Sequence, residues 1–231
     1  MSQTSYSPPL DCGLDLVYCD ESLLVANKPA GLLSVPGRGQ DKADSLTTRV
    51  QKEFPDTRCV HRLDMSTSGL LLFARGADMH RRLSCLFRER AVKKFYIAIV
   101  SGRVEITAGE IDLPLASDWL NRPRQKVDFT VGKPSLTRYR LLGYMKYPAH
   151  ASMHLGEPGL SASRVELEPA TGRTHQLRVH MAAIGHQVLG DELYGGSVAN
   201  SAERLLLHAR ELSFVHPLSE ELLTLTSEPP F

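Results

Sequence analysis

Two short segments of this chain carry side chains able to do nucleophilic or acid–base chemistry. The first is Val60-His61-Arg62-Leu63-Asp64-Met65-Ser66-Thr67-Ser68-Gly69-Leu70-Leu71-Leu72. Its carboxylate, Asp64, ends a β-like run and precedes a Ser/Thr/Gly turn, and a dense apolar strand follows. A group on such a corner is held still by the scaffold and stays reachable. Strand alternation sends Arg62 and Asp64 to the same side. The second segment is Arg173-Thr174-His175-Gln176-Leu177-Arg178-Val179-His180-Met181. It reads as a helix over Thr174 to Ile184, with Thr174 as the cap, Leu177, Met181 and Ile184 on one face, and Gly185 as the stop. Arg178 then lies in the first turn, where the helix dipole disfavours a cation by about 0.3–1 kcal/mol. An arginine there needs a compensating partner or a job, and a carboxylate such as Asp64 would pair with it bidentately. Tyr96, in Lys93-Lys94-Phe95-Tyr96, is a third candidate, placed to stack on a base or move a proton. Each has an ordinary alternative: a turn-forming aspartate, a solvated arginine, a core tyrosine.

The elements that must position these groups follow from periodicity. Asp15 to Ala26 reads as a strand pair. Ser45 to Phe54 reads as a helix capped by Asp44, and Ala77 to Arg90 as a helix with Met79, Leu83, Leu86 and Phe87 on one stripe. Strands are predicted at Cys59–Leu63, Leu70–Ala74, Phe95–Val100, Tyr139–Tyr144 and Arg164–Glu168. The Pro- and Arg-rich stretch 113–134 reads as an exposed loop, and Lys146 to Ser163 as a long hairpin loop. Many strands and a few helices, not in strict alternation, make an α+β protein.

Composition excludes several classes. At 231 residues the chain fits one large domain or two joined lobes, with 42% hydrophobic and 23% charged residues. Its four cysteines show no CxxC pairing and read as reduced, mostly buried thiols. Residues 1–12 have neither a basic start nor an apolar run and are expected to form a flexible tail ahead of the folded domain over 13–231. No apolar run reaches the roughly 18–20 residues of a membrane span; with reduced thiols suited to the cytosol and nothing suggesting an obligate interface, a cytoplasmic, membrane-independent monomer is expected. His175 and His180 are five apart, a spacing that suits neither a helical zinc pair nor one strand face. The net charge of +1 hides an asymmetry: residues 75–94 and 120–140 are strongly basic, while residues 211–231 hold four glutamates and no lysine or arginine. Two basic segments flanking a candidate site point to an anionic substrate.

The motifs resemble one family as an ordered set. His61-Arg62-Leu63-Asp64 with Ser68-Gly69-Leu70 is similar to the aspartate motif of the RluA family of RNA pseudouridine synthases. Asn27-Lys28-Pro29-Ala30-Gly31, Lys94-Phe95-Tyr96-Ile97-Ala98 and Gly172-Arg173-Thr174-His175-Gln176-Leu177-Arg178-Val179-His180 resemble its lysine–proline, tyrosine and arginine motifs, and Gly190-Asp191 and Leu206-Leu207-His208-Ala209 also fit. Ser34 to Arg38 and Asp118 to Lys126 resemble the RluA subgroup, which modifies a tRNA anticodon loop and a hairpin of large-subunit rRNA.

The resemblance implies a mixed, mainly antiparallel sheet shared by two subdomains, flanked by helices and crossed by an RNA-binding cleft. It implies RNA as the partner rather than DNA, and an isomerisation that needs no cofactor and no metal. By the same resemblance Asp64 is the nucleophile or base, Tyr96 stacks on the uracil and takes the C5 proton, Arg178 orients Asp64, and Arg62 fills the space left by the flipped base. His61, Lys28 and Leu177 are placed with the substrate. No separate S4-type RNA-binding domain is recognisable, so the loop carrying Trp119, Arg122, Arg124 and Lys126 is the candidate grip on a stem-loop. The competing reading is a non-catalytic RNA-binding or ribosome-assembly protein of the same fold. The joint presence of Asp64, Tyr96 and Arg178 argues against it.

Overall fold

A computed structural model describes residues 6–148 and 159–231. In chain order the elements are β1 (Leu16–Cys19), β2 (Leu23–Lys28), α1 (Leu46–Glu53), β3 (Thr57–Cys59), β4 (Ser68–Arg75), α2 (Gly76–Arg88), β5 (Lys93–Ser101), β6 (Ala108–Asp112), β7 (Leu115–Ser117), β8 (Gln125–Val127), β9 (Leu136–Tyr147), β10 (Leu160–Pro169), α3 (Gln176–Ala183), β11 (Leu207–Val215) and β12 (Leu222–Thr226). They form two compact units, Met1–Lys94 with Ala209–Pro230, and Phe95–His208 with Phe231. The chain passes from one to the other inside β5 and again inside β11. The α+β class is as expected, and every strand register described within either unit is antiparallel.

In the first unit β2 pairs with both β1 and β4, β3 adds to β4, and β11 and β12 form a hairpin. β2 and β4 are apolar on consecutive positions because both faces are covered. Leu23, Val25, Leu70 and Leu72 pack with Met79 and Leu83 of α2 and with Leu212 and Phe214 of β11. The arginines on the outer face of α2 are partly neutralised locally, Arg81 and Arg82 both pairing with Asp78. α1 is capped by Ser45, not Asp44: Ser45 and Thr48 form a reciprocal capping box, while Asp44 receives the buried guanidinium of Arg49. The expected flexible tail is tied down over its described part. Tyr6 donates its hydroxyl proton to Asp44 O and accepts from Leu33 N, and Pro9 O accepts from Arg49. The cysteines are less buried than expected, Cys12 and Cys19 being exposed.

The second unit is a sheet in the order β5-β10-β9-β6. Ala98, Val100, Val165 and Leu167 form its core with Leu177 and Met181 of α3. The β9–β10 hairpin pairs out to Leu160↔Tyr147, so residues 146–147 and 160–163 of the expected loop are strand, and residues 149–158 lie outside the described residues. The expected loop 113–134 holds a small hairpin, β7 paired with β8. Proline and arginine content concealed it because a three-residue strand leaves no periodicity to read.

Two positions tie sequence to stability in the first unit. Gly69 has φ 112°, and a Cβ there would collide with the carbonyl of Ala209 and lie 2.6 Å from its nitrogen. Gly76 has φ 75° but open space around it. Gly69→Ala should therefore cost about 3 kcal/mol or more, from overpacking against rigid backbone. Gly76→Ala should cost about 1 kcal/mol, from left-handed strain alone. Urea unfolding of the two variants separates them, and equal losses would show that β4 and β11 can part without penalty.

His61 gives a pH signature. Its ring stacks on Phe87 at 4.7 Å and its Nε2 accepts the N–H of Leu72 at 3.2 Å. Burial, with Lys94 adding a like charge, pushes its pKa from 6.5 down to about 3. The native state thus holds the neutral imidazole. The associated stability is complete above 6.5 and is lost as pH falls from 6.5 toward 3, by up to about 1.4 kcal/mol per pH unit. This lies above most of the carboxylate range, so denaturation midpoints should begin to fall from near neutrality. His61→Gln should flatten that limb, and an unchanged limb would assign it elsewhere.

Candidate active site

Asp64 is not at a strand end. β3 stops at Cys59 and β4 starts at Ser68, so residues 60–67 form a loop and the strand alternation expected of Arg62 and Asp64 does not exist. The loop is nonetheless fixed on both sides of the carboxylate. Before it, Leu63 donates its N–H to Ser34 Oγ at 3.0 Å, and Ser34 Oγ donates back to Leu63 O at 2.7 Å. After it, Met65 O accepts from Gly31 N at 2.8 Å and from Lys28 Nζ at 2.9 Å. Thr67 N closes a turn onto Asp64 O at 3.1 Å. Asp64 itself is half-buried, between the buried Leu63 and the exposed Met65.

Lys28 was expected among the substrate contacts. It is instead fully buried, and Nζ donates to Pro29 O, Leu32 O and Met65 O at 2.8, 2.6 and 2.9 Å. Three ammonium protons on three carbonyls make it an internal clamp. His61 is likewise turned inward, against Phe87 and Leu72. Both residues are near Asp64 in sequence or space for a reason the motif does not reveal: they shape its loop. Arg62 alone of this group is exposed. Ser34, which grips Leu63, was quoted only as part of a subgroup motif, with no role attached.

In the second unit α3 begins at Gln176. Its N-cap is His175, in the left-handed region (φ 54°, ψ 17°) with no side-chain cap, so Thr174 does not cap it. The helix start is pinned by Gln176. Its Oε1 accepts from Thr171 Oγ1 and Arg173 N, and its Nε2 donates to Leu136 O and Thr137 Oγ1. Arg178 falls in the first turn as expected and is 4% exposed. Its partner within the unit is Asp191. Nε donates to Oδ2 at 2.8 Å and Nη2 to Oδ1 at 2.7 Å, a bidentate pair whose carboxylate side chain is 0% exposed. Asp191 Oδ1 also accepts the backbone N–H groups of Leu193 and Tyr194. Such a carboxylate is what a first-turn arginine needs. Asp191 was quoted in the sequence only within the Gly190-Asp191 motif, with no role attached, and the φ of 71° at Gly190 lets the chain turn to present it.

Tyr96 stands on β5 opposite Leu167 and packs against the core cluster that contains Leu177. Tyr96, Leu177 and Arg178 thus lie in one unit, with Tyr96 and Leu177 at one core.

The four hairpin residues sit on or beside β7–β8. Trp119 and Leu120 are 70% and 92% exposed, and the Arg122 guanidinium lies 3.7 Å over the Trp119 ring. Arg124 lies over the Tyr194 ring at 5.5 Å. Lys126 pairs with Asp128 at 3.0 Å, which raises the lysine pKa and offsets part of its charge. Among the described residues no group of His, Cys, Asp and Glu is arranged to hold a metal ion.

This geometry can now be set beside known proteins. The RNA pseudouridylate synthase family profile matches residues 22–183. The dual-specificity RNA pseudouridine synthase RluA of Pasteurella multocida is 47% identical over 232 residues, covering 100% of both chains, and that of Escherichia coli K12 is 43% identical over the same span. Among solved structures, human RNA pseudouridylate synthase domain containing 1 matches at TM-score 0.79 and 31% identity, covering 97% of this chain and 87% of its own. Human RNA pseudouridylate synthase domain containing 4 matches at 0.70 and 27%, covering 93% and 88%. With the profile and full-length relatives agreeing, the chain belongs to the RNA pseudouridylate synthase family, in its RluA subgroup.

Proposed function

We propose that this protein converts uridine to pseudouridine in RNA stem-loops, taking a tRNA anticodon stem-loop and a hairpin of large-subunit rRNA, in keeping with the dual-specificity name of its relatives. The observation that carries the reading is the double pinning of the Asp64 loop, at Leu63 through Ser34 and at Met65 through Lys28. A fully buried lysine spent on backbone carbonyls is a costly way to build an ordinary turn, and it makes sense where one carboxylate must not move.

In the proposed reaction the uridine leaves the stack, because its glycosidic bond is out of reach in a paired or stacked strand. Asp64 acts on the ribose side as nucleophile or base while the C1′–N1 bond breaks. The uracil turns and C5 bonds to C1′ as the Asp64 oxygen leaves it, or as the proton Asp64 took returns to the ribose; Tyr96 removes the C5 proton and N1 ends protonated, so the change is an isomerisation with no net oxidation. Leu177 and Tyr96 bound the base, Arg178 supplies a fixed positive charge, and the exposed Arg62 enters the vacated stack. The Trp119–Arg122 stack offers an aromatic and cationic surface to the stem-loop.

Asp64→Asn should lower pseudouridine formation on an anticodon stem-loop transcript by about 10²–10⁴-fold with thermal stability retained. A full rate in the variant would remove Asp64 from the mechanism. Arg122→Ala combined with Arg124→Ala should weaken RNA binding and reduce the slope of log K against log salt by roughly 0.7 per lost phosphate contact. An unaltered slope would mean that these arginines do not touch phosphate.

A further inference from the structure

The Tyr194 hydroxyl joins parts of the second unit that lie far apart in sequence. It accepts the backbone N–H of Gln125, the first residue of β8 and 69 positions away, at 2.7 Å. It lies 2.7 Å from Nδ1 of His175, the residue that opens α3, and the two rings meet edge-on at 5.6 Å. The backbone N–H of Tyr194 donates at 3.0 Å to Asp191 Oδ1, the oxygen that also receives Nη2 of Arg178. The Arg178 guanidinium lies over the Tyr194 ring at 5.2 Å. One residue thus touches the exposed hairpin, the start of the helix and the buried ion pair.

The bonds at this hydroxyl are directional. An amide N–H can only donate, so the phenol oxygen accepts from Gln125, while its second bond, to Nδ1 of His175, takes its direction from the imidazole tautomer. His175 is held in a left-handed conformation that costs a non-glycine residue about 1–2 kcal/mol. Its ring contact with Tyr194 helps to fix that conformation, and with it the first turn that carries Arg178. A shift of the β7–β8 hairpin is therefore felt at the helix start through this shared oxygen.

We propose that Tyr194 is a positioning residue that couples engagement of RNA by the β7–β8 hairpin to the orientation of Arg178. The inference rests on the function proposed above. It goes beyond it by making the hairpin part of the catalytic step as well as of binding.

The test is single-turnover pseudouridine formation at saturating anticodon stem-loop transcript, with RNA affinity measured alongside. Tyr194→Phe should slow the saturated rate by about tenfold, the scale of one lost hydrogen bond in a constrained site, with affinity within about twofold. Trp119→Ala should weaken binding and slow the saturated rate in the unsubstituted protein. In the Tyr194→Phe background it should only weaken binding. His175→Asn keeps an acceptor and tolerates the left-handed backbone, so it should hold the saturated rate, whereas His175→Gly, which lacks the acceptor, should slow it. A full saturated rate in Tyr194→Phe, or equal slowing by Trp119→Ala in both backgrounds, overturns the coupling. If Tyr194→Phe does not fold, the His175 pair decides, and equal rates for the two variants overturn it. No turnover by the unsubstituted protein would remove the proposed function and this inference with it. Normal turnover with no effect of these substitutions would remove the inference alone.

Discussion

The buried pair between Arg178 and Asp191 is the interaction on which the second unit is arranged. An arginine in the first turn of a helix opposes the dipole, and a 4%-exposed guanidinium without a carboxylate would be far more costly still. The bidentate contact with Asp191 removes both problems, and it also dictates geometry. Asp191 must be presented by a left-handed Gly190, its Oδ1 gathers the N–H groups of Leu193 and Tyr194, and the helix must begin where Gln176 can be anchored to β9. Replacing such a pair by apolar side chains often stabilises a protein, so its retention asks for a reason other than stability. In the proposed function that reason is a planar charge held in one orientation.

The first unit solves a matching problem with different chemistry. Asp64 lies in a loop, which ordinarily means mobility. Here the loop backbone is held on both sides of Asp64: Ser34 holds Leu63, while Gly31 and Lys28 hold Met65. The stacked, neutral His61 fixes the approach from β3. Hydrogen bonds to main chain thus hold the backbone on either side of Asp64.

The helices and several strands were legible in the sequence because they carry periodicity or apolar runs, as in the stripe of α2 and the run of β4, and motifs singled out Asp64, Tyr96 and Arg178 as candidates. What was not legible is how those residues are held. Lys28 and His61 have the side chains of RNA contacts, and nothing local says that one is fully buried and the other neutral and stacked. Asp191 lies 13 residues from Arg178, a separation that only tertiary structure brings together. Ser45 displaced Asp44 as a cap because adjacent capping residues compete and the capping box with Thr48 decides. The β7–β8 hairpin escaped because its strands are three residues long.

The account stands on the fork geometry of Arg178, not only on its charge. The most direct measurement is single-turnover pseudouridine formation by Arg178→Lys at saturating RNA, with folding checked by thermal unfolding. A lysine keeps the charge but cannot bind Asp191 bidentately, so the account predicts a folded protein whose turnover falls by about a hundredfold. An Arg178→Lys protein that turns over at the unsubstituted rate would contradict it.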